Sequence, residues 1–113
     1  MRVVVTGASG NVGTSLLEAL AGDPAVSSVV GLARRRPELE LAKTTWATAD
    51  VAGDDLNSHF RGADVVVHLA WLIQPSHDPF AMWRTNVVGT ERVLAAAAQA
   101  GVGALVCASS VGA

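Results

Sequence analysis

The sequence predicts an α/β fold, a doubly wound parallel sheet with strand order 3-2-1-4-5. Three observations lead to it. Apolar runs such as Val3-Val4-Val5 and Val65-Val66-Val67 are short, β-branched and unbroken, as expected of strands buried on both faces. Segments with helical apolar spacing separate the runs, so strands alternate with helices and connect through right-handed crossovers. The first run leads through a glycine-rich turn, with Gly7, Gly10 and Gly13 spaced G-x-x-G-x-x-G, into one of those segments.

Arg2 to Thr6 reads as strand one. Asn11 to Ala21 reads as the first helix, with Val12, Leu16, Leu17 and Leu20 as its buried stripe. Gly22 is a C-cap candidate and Pro24 a stop. Val26 to Ala33 is strand two. The polar connection from Arg34 to Lys43 holds Pro37 and has room for a short helical turn. Thr44 to Ala49 is strand three, anchored in the core by Trp46. Asp54 to Phe60 reads as a brief helix with Leu56 and Phe60 facing inward, and Gly62-Ala63-Asp64 as a turn. Strand four runs from Val65 to Ala70, and Trp71 to Pro79 is a loop. Phe80 to Ala100 is the longest helix, with Trp83, Val87, Val93, Leu94 and Ala97 near one face and Gly101 as terminator. Ala104 to Ala108 is strand five. The sequence stops shortly after it, with no closing helix, so the fold is expected to be truncated there and strand five to be a long apolar edge.

Composition narrows the function. The 113 residues suit one domain, and half of them are apolar, which suits a packed core. A formal net charge of -2 and a single basic cluster, Arg34-Arg35-Arg36, give no field for nucleic acid. The one cysteine, Cys107, allows no internal disulfide and fits a reducing cytoplasm. Met1-Arg2 leads straight into strand one, so no signal peptide is expected, and no apolar run is long enough to span a membrane. His59 and His77 lack partners at metal-ligand spacing, so no metal is expected.

The chemistry is expected where the strands end, because ligands of such a sheet bind outside its carboxyl edge at the point where the strand order reverses. At the first turn a helix N-terminus offers free N–H groups and partial positive charge to a pyrophosphate. Gly7 allows a backbone conformation closed to other residues, Gly10 lets a ligand approach the main chain, and Gly13 lets the helix pack close. At the end of strand two a dinucleotide's adenosine ribose is expected, and an acid there would bind a free 2′-hydroxyl. This chain has arginines instead. Arg34, then Arg35, is suited to a 2′-phosphate, which favours NADP over NAD; the alternative is a solvated turn. Asp50 ends strand three, where its carboxylate either accepts a bond from the adenine amino group or caps a turn. His68, inside an apolar strand, reads as a satisfied core histidine rather than a catalyst.

On these residues the chain resembles the N-terminal part of an extended, or atypical, short-chain dehydrogenase/reductase of the NAD(P)-dependent epimerase/dehydratase family. Thr6-Gly7-Ala8-Ser9-Gly10-Asn11-Val12-Gly13 is similar to that family's T-G-x-x-G-x-x-G motif. Asp50-Val51 resembles its aspartate-apolar pair near adenine, and His68-Leu69-Ala70 its cofactor-lining motif on strand four. Asn86-Val87-Val88-Gly89-Thr90 resembles N-x-x-G-T on the long helix, and Ser109-Ser110 the serines ending strand five. The resemblance implies a Rossmann domain over residues 1–113 that binds NADP, by preference, or NAD. It implies cofactor contacts from Gly7, Ser9, Gly10, Asn11, Val12, Gly13, Arg34, Arg35, Asp50, Val51, Leu69, Ala70 and Asn86. Asn86 would fix the helix and its local water network, unless it is an ordinary polar residue of the helix. The implied activity is hydride transfer to or from nicotinamide on a small hydroxy or keto substrate such as a nucleotide sugar, in a homodimer. Ser110, with Ser109 as alternative, would bond the substrate oxygen, and Trp71 and the loop to Pro79 would border the substrate or belong to the core. In the family a Y-x-x-x-K tyrosine moves the proton while its lysine lowers the tyrosine pKa. This chain has no tyrosine, and its one lysine is Lys43. The expectation is therefore an incomplete domain, lacking the Tyr-x-x-x-Lys segment and the C-terminal substrate lobe and inactive alone. The alternative is a non-catalytic NADP-binding sensor that regulates a partner.

Overall fold

The computed structural model describes residues 1–8, 11–69, 80 and 83–107. Its elements are β1 (Arg2–Thr6), α1 (Asn11–Ala21), β2 (Ser28–Ala33), β3 (Thr44–Thr48), α2 (Asn57–Phe60) and β4 (Val65–His68). A π-helical turn (Arg84–Val88), α3 (Gly89–Ala100) and β5 (Ala104–Cys107) complete them. The five strands form one sheet in the order β3-β2-β1-β4-β5. Every neighbouring pair is parallel, as the alternating elements require.

The valine run of β1 shows why the sheet is covered on both sides. Val3 and Val5 turn to one face, where Leu17 of α1 packs with Val29 and Trp46. Val4 turns to the other, against Phe60 of α2 and Val93, Ala96 and Ala97 of α3. Alternate side chains of a strand point to opposite faces, so an unbroken apolar run is what two helical layers demand. Trp46 anchors β3 as expected. A side chain at Gly31 would meet its ring at 2.8 Å, and its indole N–H donates to the Leu39 carbonyl at 2.6 Å.

Several expectations need correction. β2 starts at Ser28 rather than Val26, β3 ends at Thr48, and α2 shortens to Asn57–Phe60. β4 ends at His68, with Leu69 beyond it. No helical turn forms between Arg34 and Lys43. Gly22 closes the last turn of α1 by donating to Glu18 O at 3.3 Å, but its φ is not left-handed, whereas Gly101 (φ 69°) does cap α3 in that conformation. In α1, Leu17 is buried and Leu16 and Leu20 pack against the core, but Val12 is 70% exposed. In the long helical segment Trp83, Val87 and Leu94 are exposed, and the buried residues are Val93, Ala96 and Ala97. Counted at about 100° per residue, Trp83, Val87 and Leu94 all fall roughly 100° or more from the stripe that Gly89, Val93, Ala96 and Ala97 turn to the core, and the π-helical turn rotates Trp83 further from it still. β5 is an edge of the described sheet, with Val106 and Cys107 exposed.

Candidate dinucleotide site

Strand register brings the candidate residues to one edge. Thr6 at the end of β1 lies beside Leu32 of β2 and His68 of β4, and Ala33 lies beside Thr48 of β3. From those strand ends the chain runs on into the Gly7 turn, Arg34-Arg35, Asp50-Val51 and Leu69.

The first turn has the geometry its glycines suggested. Gly7 has φ 69°, the left-handed region that a residue with a Cβ rarely adopts. A Cβ on Gly13 would lie 2.7 Å from the carbonyl oxygens of both Gly7 and Ala8, so only glycine lets the first turn of α1 sit on the turn that precedes it. Asn11 opens α1, and Val12 beside it is exposed. Ser9 and Gly10 lie outside the described residues.

Arg34 and Arg35 come directly after β2 and are exposed. They form no ion pair among the described residues. Asp50 shows the turn-capping geometry: its Oδ1 accepts from the Ala52 N–H at 2.9 Å, and its own N–H donates to Asp54 Oδ2 at 2.7 Å. Its Oδ2 lies 3.5 Å from Arg84 Nη1. Val51 places its side chain in the core, so what it offers a ligand is main chain. The Val51 side chain fills the space a Cβ on Gly89 would need, 2.6 Å from its Cγ2. The aspartate-apolar pair and the N-x-x-G-T segment therefore interlock. Arg92 fastens the same junction, donating to Val51 O and Asp54 O at 2.7 Å each.

A hydrogen-bonded chain joins the other motifs. Thr6 Oγ1 lies 2.7 Å from His68 Nδ1, and His68 Nε2 lies 3.0 Å from Thr90 Oγ1. The Leu69 N–H donates to both Thr6 O (3.0 Å) and Thr6 Oγ1 (3.1 Å). A neutral imidazole donates through one nitrogen and accepts through the other, which suits two flanking hydroxyls. Burial pushes the His68 pKa down and keeps the ring neutral. His68 is thus a satisfied core histidine, and it ties β1, β4 and α3 together under the carboxyl edge. Each member of this chain was visible in a motif, but nothing in their spacing showed that they touch. Arg84 and Arg92 carried no sequence signal at all.

Leu69 is half-buried against the α1-side core, and Asn86 is half-buried in the π-helical turn. Ala70, the loop from Trp71 to Pro79 with His77, Ser109 and Ser110 lie outside the described residues. Among the described residues no three His, Cys, Asp or Glu side chains gather as a metal site would require. No described helix is long and apolar enough to cross a membrane.

A doubly wound parallel sheet with a left-handed glycine turn before its first helix is the Rossmann fold of NAD(P)-binding proteins. The comparisons narrow the class: the chain belongs to the NAD dependent epimerase/dehydratase family, whose model it matches over residues 3–113. An uncharacterized protein of Mycobacterium tuberculosis is 38% identical over 111 residues, which are 97% of this chain and 12% of that protein. L-arabinose 1-dehydrogenase (NAD(P)(+)) of Haloferax volcanii is 38% identical over 96% of this chain and 41% of its own length. The structure of MoeE5 in complex with UDP-glucuronic acid and NAD superposes with a TM-score of 0.82, at 34% identity over 97% of this chain and 37% of that one. The chain therefore spans well under half the length of each of these relatives.

Proposed function

We propose that residues 1–113 form the cofactor-binding domain of an NAD(P)-dependent dehydrogenase or epimerase acting on a sugar or nucleotide sugar. The observation that carries this reading is the first turn, where left-handed Gly7 and the side-chain-free approach of Gly13 set the start of α1 against the end of β1. That arrangement leaves the N–H groups of the helix start for a pyrophosphate. Gly7, Ser9, Gly10, Asn11, Val12 and Gly13 form this cradle. Asp50 and the main chain of Val51 receive adenine, and Leu69, Ala70 and Asn86 border the nicotinamide half. Arg34 and Arg35, exposed at the end of β2, bind a 2′-phosphate and make NADP the preferred cofactor.

The nicotinamide supplies hydride transfer when bound. Ser110 bonds the reacting oxygen of the substrate. The proton-transferring tyrosine of the family is not among these residues, and Lys43 is engaged elsewhere, donating to Asp23 O (3.0 Å) and Val26 O (2.9 Å). This chain's share of the reaction is therefore binding and orientation. A second reading, an NADP-binding regulator without chemistry, draws on the same absence of tyrosine. The substrate class is proposed from the relatives, which include an arabinose dehydrogenase and a UDP-glucuronic acid complex. The family's homodimer is carried over to the full-length protein, and a cytoplasmic location is proposed from the single cysteine.

Titration of the native gene product with NADPH and NADH tests the cofactor reading. Replacing Arg34 and Arg35 together by alanine is expected to weaken NADPH by at least about tenfold, the loss of charge-assisted contacts to the 2′-phosphate, and to leave NADH within about twofold. Equal loss for both cofactors would place the 2′-phosphate elsewhere. Turnover of a sugar substrate with the preferred cofactor separates the enzyme from the regulator.

A further inference from the structure

The turn that carries Asp50 is held from the long helical segment by two arginines that grip it differently. Arg92 makes two short bonds to main-chain carbonyls, those of Val51 and Asp54. Arg84 lies loosely across the turn, with Nη1 3.5 Å from Asp50 Oδ2 and Nη2 3.5 Å from Ala52 O. A Cβ on Gly53 would come within 3.1 Å of Nη2, so glycine keeps that approach open. The ion pair is half in solvent, with 44% of the Arg84 side chain and 35% of Asp50 exposed. Pairs of that kind contribute less than about 1 kcal/mol to stability. The turn is already fixed by Arg92 and by its own hydrogen bonds, so holding the fold together does not explain Arg84.

Its placement depends on an irregularity. Arg84 begins the π-helical turn, closed by the Gly89 N–H donating to Arg84 O. Gly89 is pinned by its contact with Val51. In a continuous α-helix drawn back from Gly89, position 84 would be rotated by about 100°. The π-helical turn is what aims the guanidinium at Asp50, and such turns are common at functional sites.

We propose that Arg84 is a positioning residue for base recognition. It fixes the orientation of the Asp50 carboxylate, one oxygen of which is already engaged by the Ala52 N–H, so that the carboxylate can accept the exocyclic amino group of adenine. This rests on the proposed role of Asp50 in receiving adenine. It makes Arg84 a determinant of which nucleobase the site accepts, although Arg84 makes no bond to the base.

The test compares two dinucleotides, the reduced adenine cofactor and its hypoxanthine analogue, in which a carbonyl replaces the 6-amino group. Dissociation constants are measured on the native gene product and on Arg84→Gln, Arg84→Lys and Asp50→Asn. The expected result is a three- to tenfold weaker adenine cofactor for Arg84→Gln, a change under twofold for the analogue, and partial recovery in Arg84→Lys. In an Asp50→Asn background, Arg84→Gln should add little. Equal weakening of both ligands would make Arg84 a structural residue and overturn the proposal. Discrimination lost in Asp50→Asn but intact in Arg84→Gln would also overturn it, while leaving the Asp50 reading standing. Unchanged discrimination in Asp50→Asn would remove the Asp50 reading and the proposal together.

Discussion

His68 carries a pH dependence that arises from its surroundings. Its ring is buried between Thr6 and Thr90, and burial holds its pKa below the ordinary value of 6.5. The folded state then binds fewer protons than the unfolded chain once the pH falls below that value. The stability His68 contributes is complete above about pH 6.5 and is lost as the pH falls through the depressed folded pKa. Relative to His68→Gln, the native protein should be more stable by about 2–3 kcal/mol at neutral pH, since the variant leaves buried hydroxyls poorly matched. Urea unfolding from pH 7.5 down to 5 should show that gap narrowing, and a constant gap would contradict the assignment of a neutral buried ring. At this scale the sequence was informative about identity and silent about contact. The histidine's environment was readable from the apolar residues around it. Its two hydroxyl partners sit 62 and 22 positions away in the chain; the sheet register brings Thr6 beside it, and the packing of α3 on the sheet brings Thr90.

The elements were legible wherever one period governed them. β1 and β4 are short runs of valine, and α1 and α3 keep their cores at helical spacing. The readings that failed did so for nameable reasons. The expected stripe of the long helical segment joined two faces: at about 100° per residue Trp83, Val87 and Leu94 count away from the side that Val93, Ala96 and Ala97 turn to the core. Val12 satisfied the helical spacing but lies in the first turn of α1 and is exposed. The interlock of Val51 with Gly89 gives a prediction for this scale. Gly89→Ala should cost about 1–3 kcal/mol, the usual penalty of overpacking, because its Cβ would press on the Val51 side chain. Combining it with Val51→Ala should recover part of that cost, as coupled neighbours do. Chemical denaturation of the two single variants and the double variant measures the coupling. Strict additivity would mean that the turn and the helix do not meet as described.

For the whole molecule, strand order and the parallel arrangement were legible because a glycine turn, alternating elements and right-handed crossovers admit few topologies. The site was legible in part. Gly7 and Gly13 show the geometry their spacing suggested, whereas the contacts of Arg84 and Arg92 with the Asp50 turn come from the long helical segment and left no motif. The family is shared with proteins more than twice as long, such as the arabinose dehydrogenase of which this chain spans 41%. What these residues do is therefore bind, and thermal unfolding with and without NADPH measures it. A ligand that binds only the native state must stabilise it, by about 2.7 kcal/mol at a hundredfold excess over its dissociation constant. The melting temperature should climb with NADPH concentration, and direct titration at a temperature where Gly13→Val is still folded should show that variant binding NADPH much more weakly. A melting temperature indifferent to both NADPH and NADH would contradict it.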